Sequence, residues 1–141
     1  GALGLKAGWV AHGFPEEGAA LDELSCAGSN VMAGFGRLKS ERGHLLPDQV
    51  GLPACSLADL KGGDAMENRQ LMLTLLAGGS AGVSTGLKNS VLLNAGAALY
   101  IVGRVGSLKD GVVAASELLD SGRVAQWLAR VQEFYKGINT T

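Results

Sequence analysis

The chain has 141 residues, 47% of them hydrophobic, and a formal net charge of −1. That is about the length of one domain, with enough apolar side chains to bury a core. Near-neutral charge with scattered Lys and Arg leaves no electrostatic case for nucleic acid. The apolar stretch Val91 to Val102 is broken by Asn94 and Gly96 and falls short of the ~20 residues a membrane helix needs. The opening residues lack the basic start and long apolar centre of a signal peptide.

The glycines, 22 in number, are dispersed and fall where turns and element ends are expected. "GALGLK" reads like the tail of a helix, with Gly4 and Lys6 near its end, so the chain is expected to begin inside a domain. Lys6 to His12 is the first strand, and its almost continuous apolar character predicts a buried parallel strand. Phe14 to Ala20 is a loop. Asn30 to Leu38 is a second strand, weakened by Gly34 and Gly36, and the polar run Lys39 to Arg42, ending in Gly43, reads as a hairpin turn. "HLLPDQVGL" follows as a short extended piece and a Pro-bearing turn.

From Ser56 the pattern becomes helical. "SLADL" has the Ser-x-x-Asp shape of a helix start, and "GGDAMEN" pairs a capping Asp64 with Glu67 three residues on. That helix runs to about Ala77 and stops at Gly78-Gly79. Gly82 to Gly86 is a loop, and Lys88 to Gly103 is apolar nearly all round, which predicts a buried helix. Another helix starts at Ser107 and ends at Ser121-Gly122. Val124, Trp127, Leu128, Val131 and Phe134 mark the last by their i, i+3, i+4, i+7 spacing, and the tail "GINTT" is expected to fray. Two or three strands followed by about four helices is an unusual order for a complete doubly wound domain, where strands and helices alternate. It fits the C-terminal half of a larger α/β domain better.

The stretch "EEGAALDELS" places Glu16, Glu17, Asp22 and Glu23 within ten residues. By composition alone it reads either as a solvated acidic loop or as a site for a metal ion. Asp64 and Glu67 are most simply a capping box. His12, at a strand end, either faces a site mouth or bonds nearby backbone, and His44 reads as surface. Asn94 on an apolar helix must find partners and reads as a polar anchor. Lys88 and Arg104 flank that helix and read as solvated, and Arg37 and Lys39 read either as phosphate-meeting cations or, more plainly, as a hairpin edge. Cys26 and Cys55 fit no CxxC spacing and read as reduced, buried or incidental thiols of an intracellular protein.

Six segments in this order, "WVAHG", "LDELS", "PDQVGLP", "SLADLKGGDAMEN", "NSVLLNAGAALYIVGR" and "LLDSGRVAQWLARVQEF", together resemble anthranilate phosphoribosyltransferase over nearly the whole chain. "GGDAMEN" with "VLLNAGAALY" is the specific part of the match. The resemblance implies the C-terminal portion of a phosphoribosyltransferase/nucleoside-phosphorylase-like α/β domain, with the N-terminal helical domain and the first half of the α/β domain outside residues 1–141. It implies transfer of the phosphoribosyl group of phosphoribosyl pyrophosphate to the amine of anthranilate, an early step of tryptophan synthesis, in a cytoplasmic enzyme that is typically a homodimer and involves neither nucleic acid nor membrane. It implies Mg²⁺ on the Asp-Glu of "LDE", here Asp22 and Glu23. The family's Gly-rich pyrophosphate loop, Lys-His-Gly-Asn stretch and anthranilate-binding Arg lie upstream. No catalytic or substrate-gripping residue is therefore expected here, and this chain alone is expected to be inactive.

One departure concerns the metal pair. The family usually links His-Gly to "LDE" by a short segment, often Asp-Gly, whereas here the link is the longer "FPEEGAA". Glu16 and Glu17 are thus further candidates for the ion. Two rival readings share the fold group. A pyrimidine nucleoside phosphorylase has the Gly-Gly-Asp-x-x-Glu-Asn type of segment, but "LDELS" argues against it. A nucleic-acid-binding relative would be expected to show a basic groove.

Overall fold

The computed structural model describes residues 4–138. Three strands come first: β1 (Ala7–Phe14), β2 (Ser29–Gly36) and β3 (Arg42–Leu45). Two short 3-10 turns follow, Pro47–Val50 and Leu57–Leu60, and then four helices: α1 (Ala65–Leu76), α2 (Thr85–Ile101), α3 (Leu108–Asp120) and α4 (Arg123–Ile138). The chain divides into two units, one of residues 1–61 and 84–115, the other of residues 62–83 and 116–141.

In the first unit the sheet order is β1-β2-β3, and both pairings are antiparallel, with Trp9 opposite Gly34, His12 opposite Val31, and Asn30 opposite Leu45. The expected parallel strand is therefore corrected to an antiparallel one. Residues 15–28 and 37–41 return the chain beside the strand it has just left, as antiparallel pairing allows without a crossover helix. The strand is also not buried on both faces. Trp9 and Ala11 pack on the core, whereas Val10 on the opposite face is 69% exposed. An almost continuous apolar run fits a one-sided strand as well as a two-sided one when the outer residues are Gly8, Val10, His12 and Phe14.

The core gathers Leu24, Cys26, Leu45, Val50, Leu52, Leu93, Ala97 and Val112. It is built between the inner face of the sheet, the 3-10 segment, α2 and the start of α3. The helix α2 reaches this core because its crossing with α3 has no side chains in the way. A Cβ on Gly96 would lie 2.6 Å from the Val112 nitrogen, and one on Gly111 would meet the Gly96 carbonyl. Small residues at the contact let the two backbones touch. The Ser84 hydroxyl caps α2 by accepting from the Leu87 N–H at 2.9 Å, and it donates to the Asp59 carbonyl. At the other end the Arg37 guanidinium donates to the Ile101 carbonyl at 2.9 Å, so this cation serves a helix C-terminus rather than only a hairpin edge. Glu41 ties the sheet to α2: its carboxylate accepts from the Trp9 indole at 3.1 Å and from the Tyr100 hydroxyl at 2.6 Å.

In the second unit, α1 begins with the expected capping box. Asp64 accepts from the Met66 and Glu67 N–H groups at 2.8 and 2.9 Å, and Glu67 accepts from the Asp64 N–H at 2.9 Å. The helix α4 packs on α1. The expected helix at "SLADL" is only the 3-10 turn Leu57–Leu60, because Lys61, Gly62 and Gly63 follow without a helical turn. Residues 4–6 are not helical, and the rest of the expected N-terminal helix tail lies outside the described residues. Of the tail expected to fray, Gly137 and Ile138 belong to α4 and Asn139 to Thr141 lie outside the described residues. Among the described residues no helix is long and apolar enough to cross a membrane.

Candidate functional site

The connection between β1 and β2 carries the acidic stretch, and its geometry divides it in two. Gly13 at the end of β1 exchanges two main-chain hydrogen bonds with Leu21, at 2.8 and 2.9 Å. Asp22 and Glu23 then form a bend. Immediately after it, Leu24 is gripped from α2: its N–H donates to Asn94 Oδ1 at 3.3 Å, and Asn94 Nδ2 donates to the Leu24 carbonyl at 2.6 Å. The next two residues are also anchored. Asn30 Oδ1 accepts from the Ser25 N–H at 2.7 Å, Asn30 Nδ2 donates to the Ser25 carbonyl at 2.9 Å, and the Ser90 hydroxyl accepts from the Cys26 N–H at 3.0 Å. The bend is therefore a two-residue span between two fixed points. Gly13 fits closely beneath it, since a Cβ there would lie 3.0 Å from the Glu23 carbonyl oxygen.

Both carboxylates of the bend are exposed and neither enters a hydrogen bond or salt bridge with the described residues. Glu23 and Glu16 border a cleft of about 910 Å³ whose floor is mostly apolar, with Leu24, Leu60 and Leu87 among its walls. Ser56, Lys61 and Asn94 bring polar groups to the same cleft. Asp22 and Glu17 are not among its lining residues. The expected pair is thus adjacent in the chain while only its second member borders the cleft, and Glu16 of the lengthened loop joins it there.

Among the described residues no three His, Cys, Asp or Glu side chains converge to form a ready-made cage for a metal. The donor set nevertheless fits Mg²⁺. That ion takes oxygen ligands, keeps several waters, and needs only one or two protein carboxylates when substrate phosphates complete its shell. Glu23 at the cleft, with Asp22 next to it on the bend, offers carboxylate oxygens of that kind. The two thiols do not add to it: burial pushes Cys26 up, against a hydrogen bond from Ser90, and burial followed by the nearby Asp59 pushes Cys55 up. Both remain free, protonated thiols.

The remaining candidates fall away from the cleft. His12 lies within β1 rather than at its end, and its ring meets Phe14 edge-on at 4.3 Å. His44 is exposed, as expected. Asp64 and Glu67 are occupied in the cap of α1. Lys61 was not singled out by sequence, because it becomes a cleft residue only when the turn Leu57–Leu60 packs beside α2.

The α/β scaffold that carries this cleft can be assigned to a family. The model of the glycosyl transferase family a/b domain matches residues 2–125, and the chain belongs to that family. Among individual proteins it is similar to the anthranilate phosphoribosyltransferase of Brucella ovis, 36% identical over 129 residues, which are 92% of this chain and 35% of that protein. The crystal structure of anthranilate phosphoribosyltransferase from Thermus thermophilus superposes with a TM-score of 0.75 at 40% identity, over 88% of this chain and 34% of that one. The Saccharomyces cerevisiae enzyme in complex with PRPP and Mg shares the fold at 21% identity, with a TM-score of 0.69 over 84% of this chain and 32% of that one. The chain spans about a third of the length of these relatives.

Proposed function

We propose that this chain is the C-terminal part of the α/β domain of an anthranilate phosphoribosyltransferase, and that Asp22 and Glu23 are its magnesium ligands. The observation that carries the reading is the 36–40% identity to two such enzymes across about nine-tenths of the chain. The PRPP and Mg bound to the yeast relative support the same substrate and ion. In the reaction the amine nitrogen of anthranilate forms a bond to C1 of the ribose, the bond from C1 to the pyrophosphate oxygen breaks, and the amine loses a proton. Negative charge builds on the departing pyrophosphate, and magnesium, when bound, supplies positive charge against it.

The residues of this chain contribute position. The flanking hydrogen bonds hold the main chain that carries the two carboxylates, and a held main chain lowers the ordering cost of binding an ion there. Lys61 adds a cation to the cleft wall, complementary to phosphate. The substrate-gripping segments belong to the remaining part of the protein, which also carries the dimer contacts. Near-neutral charge supports a small-molecule substrate over nucleic acid, and the free thiols suit a cytoplasmic setting.

The test is turnover by the full-length protein. Anthranilate and phosphoribosyl pyrophosphate should be converted, and Asp22→Asn with Glu23→Gln should lower kcat about a hundredfold and weaken the dependence on Mg²⁺. Unchanged turnover by the double variant, or full turnover after chelation of Mg²⁺, removes the metal assignment. Absence of any conversion removes the substrate assignment.

A further inference from the structure

We propose that Asn94 is a positioning residue for the Asp22–Glu23 carboxylates, holding the bend in the shape that a divalent cation requires. The proposal rests on the metal assignment above and adds a residue to it. The amide of Asn94 bonds both main-chain groups of Leu24, the residue that directly follows the pair. The same Nδ2 donates to the Ser90 carbonyl at 2.9 Å, one turn earlier in α2, so the amide plane is fixed by its own helix. A side chain held at three points transmits the position of α2 to Leu24 and from there to the bend.

The alternatives within the structure are weaker. Asn30 grips Ser25, one residue further from the pair, and is fully buried among main-chain partners. Ser90 grips Cys26, two residues further than Leu24. On the other side of the bend the partner of Leu21 is main chain, which substitution cannot remove. Asn94 is thus the side chain that grips the chain nearest the pair, and it borders the same cleft as Glu23. Its chemistry is specific: only an amide offers both an acceptor for the Leu24 N–H and a donor for the Leu24 carbonyl at this length. An Asp in its place would lose the donor, and a Leu would lose both.

Residues that orient metal ligands change metal affinity about 10–100-fold when replaced. A merely structural residue changes stability and leaves affinity alone. The experiment therefore measures Mn²⁺ affinity by electron paramagnetic resonance, on full-length protein with inorganic pyrophosphate present, at a temperature where every variant is folded. Amide hydrogen exchange at Glu23 and Leu24 is read in parallel. Asn94→Leu should weaken Mn²⁺ binding about tenfold and speed exchange at those two amides. Asp64→Ala, which removes the cap of α1 in the other unit, serves as the stability control and should lower Tm without moving Mn²⁺ affinity.

If Asn94→Leu lowers Tm but binds Mn²⁺ like the unsubstituted protein, the positioning role is wrong while the metal assignment stands. If Asp22→Asn with Glu23→Gln leaves Mn²⁺ binding unchanged, the metal assignment is wrong and the role of Asn94 falls with it. Should Asn94→Leu fail to fold, Asn94→Ser is read against the same two outcomes.

Discussion

The Asp59 carboxylate accepts hydrogen bonds from the Ser56 hydroxyl at 2.7 Å and from the Ser56 N–H at 2.9 Å, and these hold its pKa below the usual carboxylate value. The folded value lies under the unfolded one, so the stabilisation is fully present above the unfolded value and is lost as pH falls through the folded one. Acidification should therefore loosen the turn Leu57–Leu60, seen as a lower exchange protection factor at the Asp59 amide, and Asp59→Asn should remove that pH dependence. An equally loose turn at neutral and acid pH would contradict this. The Ser-x-x-Asp pattern was legible in the sequence; that it closes a single 3-10 turn was not, because the pattern reports the first turn and not how far the helix runs. The acidic stretch repeats the lesson. Composition shows four carboxylates, and the resemblance selects two. Only the packing of α2 against the loop explains why the bend between Leu21 and Leu24 is held.

At the scale of elements, two contacts of different kinds invite different tests. Asp64→Ala removes the cap of α1 and should cost about 1 kcal/mol of stability in denaturant melts. Gly96→Val inserts bulk into the α2–α3 crossing, where even a Cβ is too close to the Val112 nitrogen, and should cost about 1–3 kcal/mol or prevent folding. A variant at Gly96 as stable as the parent would mean that the two helices do not cross this closely. The cap was readable from residues three apart, because the interactions are local. The crossing was not, because Gly96 and Gly111 meet only after both helices fold. For the same reason the strands and the hairpin turn after the second were found near their places while the pairing of the first strand was misjudged: an apolar run identifies a strand, but its neighbours are chosen by connections elsewhere in the chain.

For the molecule as a whole, the sheet leaves apolar surface uncovered. Val10, Phe14 and Phe35 lie on the outer face of β1 and β2 and are exposed. Gly13 turns its main-chain groups away from β2 toward Leu21, so in a regular strand those of Ala7, Trp9 and Ala11 also point outward along an edge without charge or proline. Such an edge pairs readily with other strands. Prepared as these 141 residues alone, the protein should self-associate or melt over a broad range, measured by light scattering and thermal unfolding. A monomer with a sharp transition would contradict that expectation.

The sequence by itself determined the α/β order of elements, the cap of α1 and the family, because each rests on residues near one another in the chain or on segments kept in order. The tertiary structure decided the rest. It made the sheet antiparallel, drew Glu16 and Lys61 to the cleft beside Glu23, and set Asn94 against Leu24, because all of these join residues that only folding brings within hydrogen-bond or packing distance.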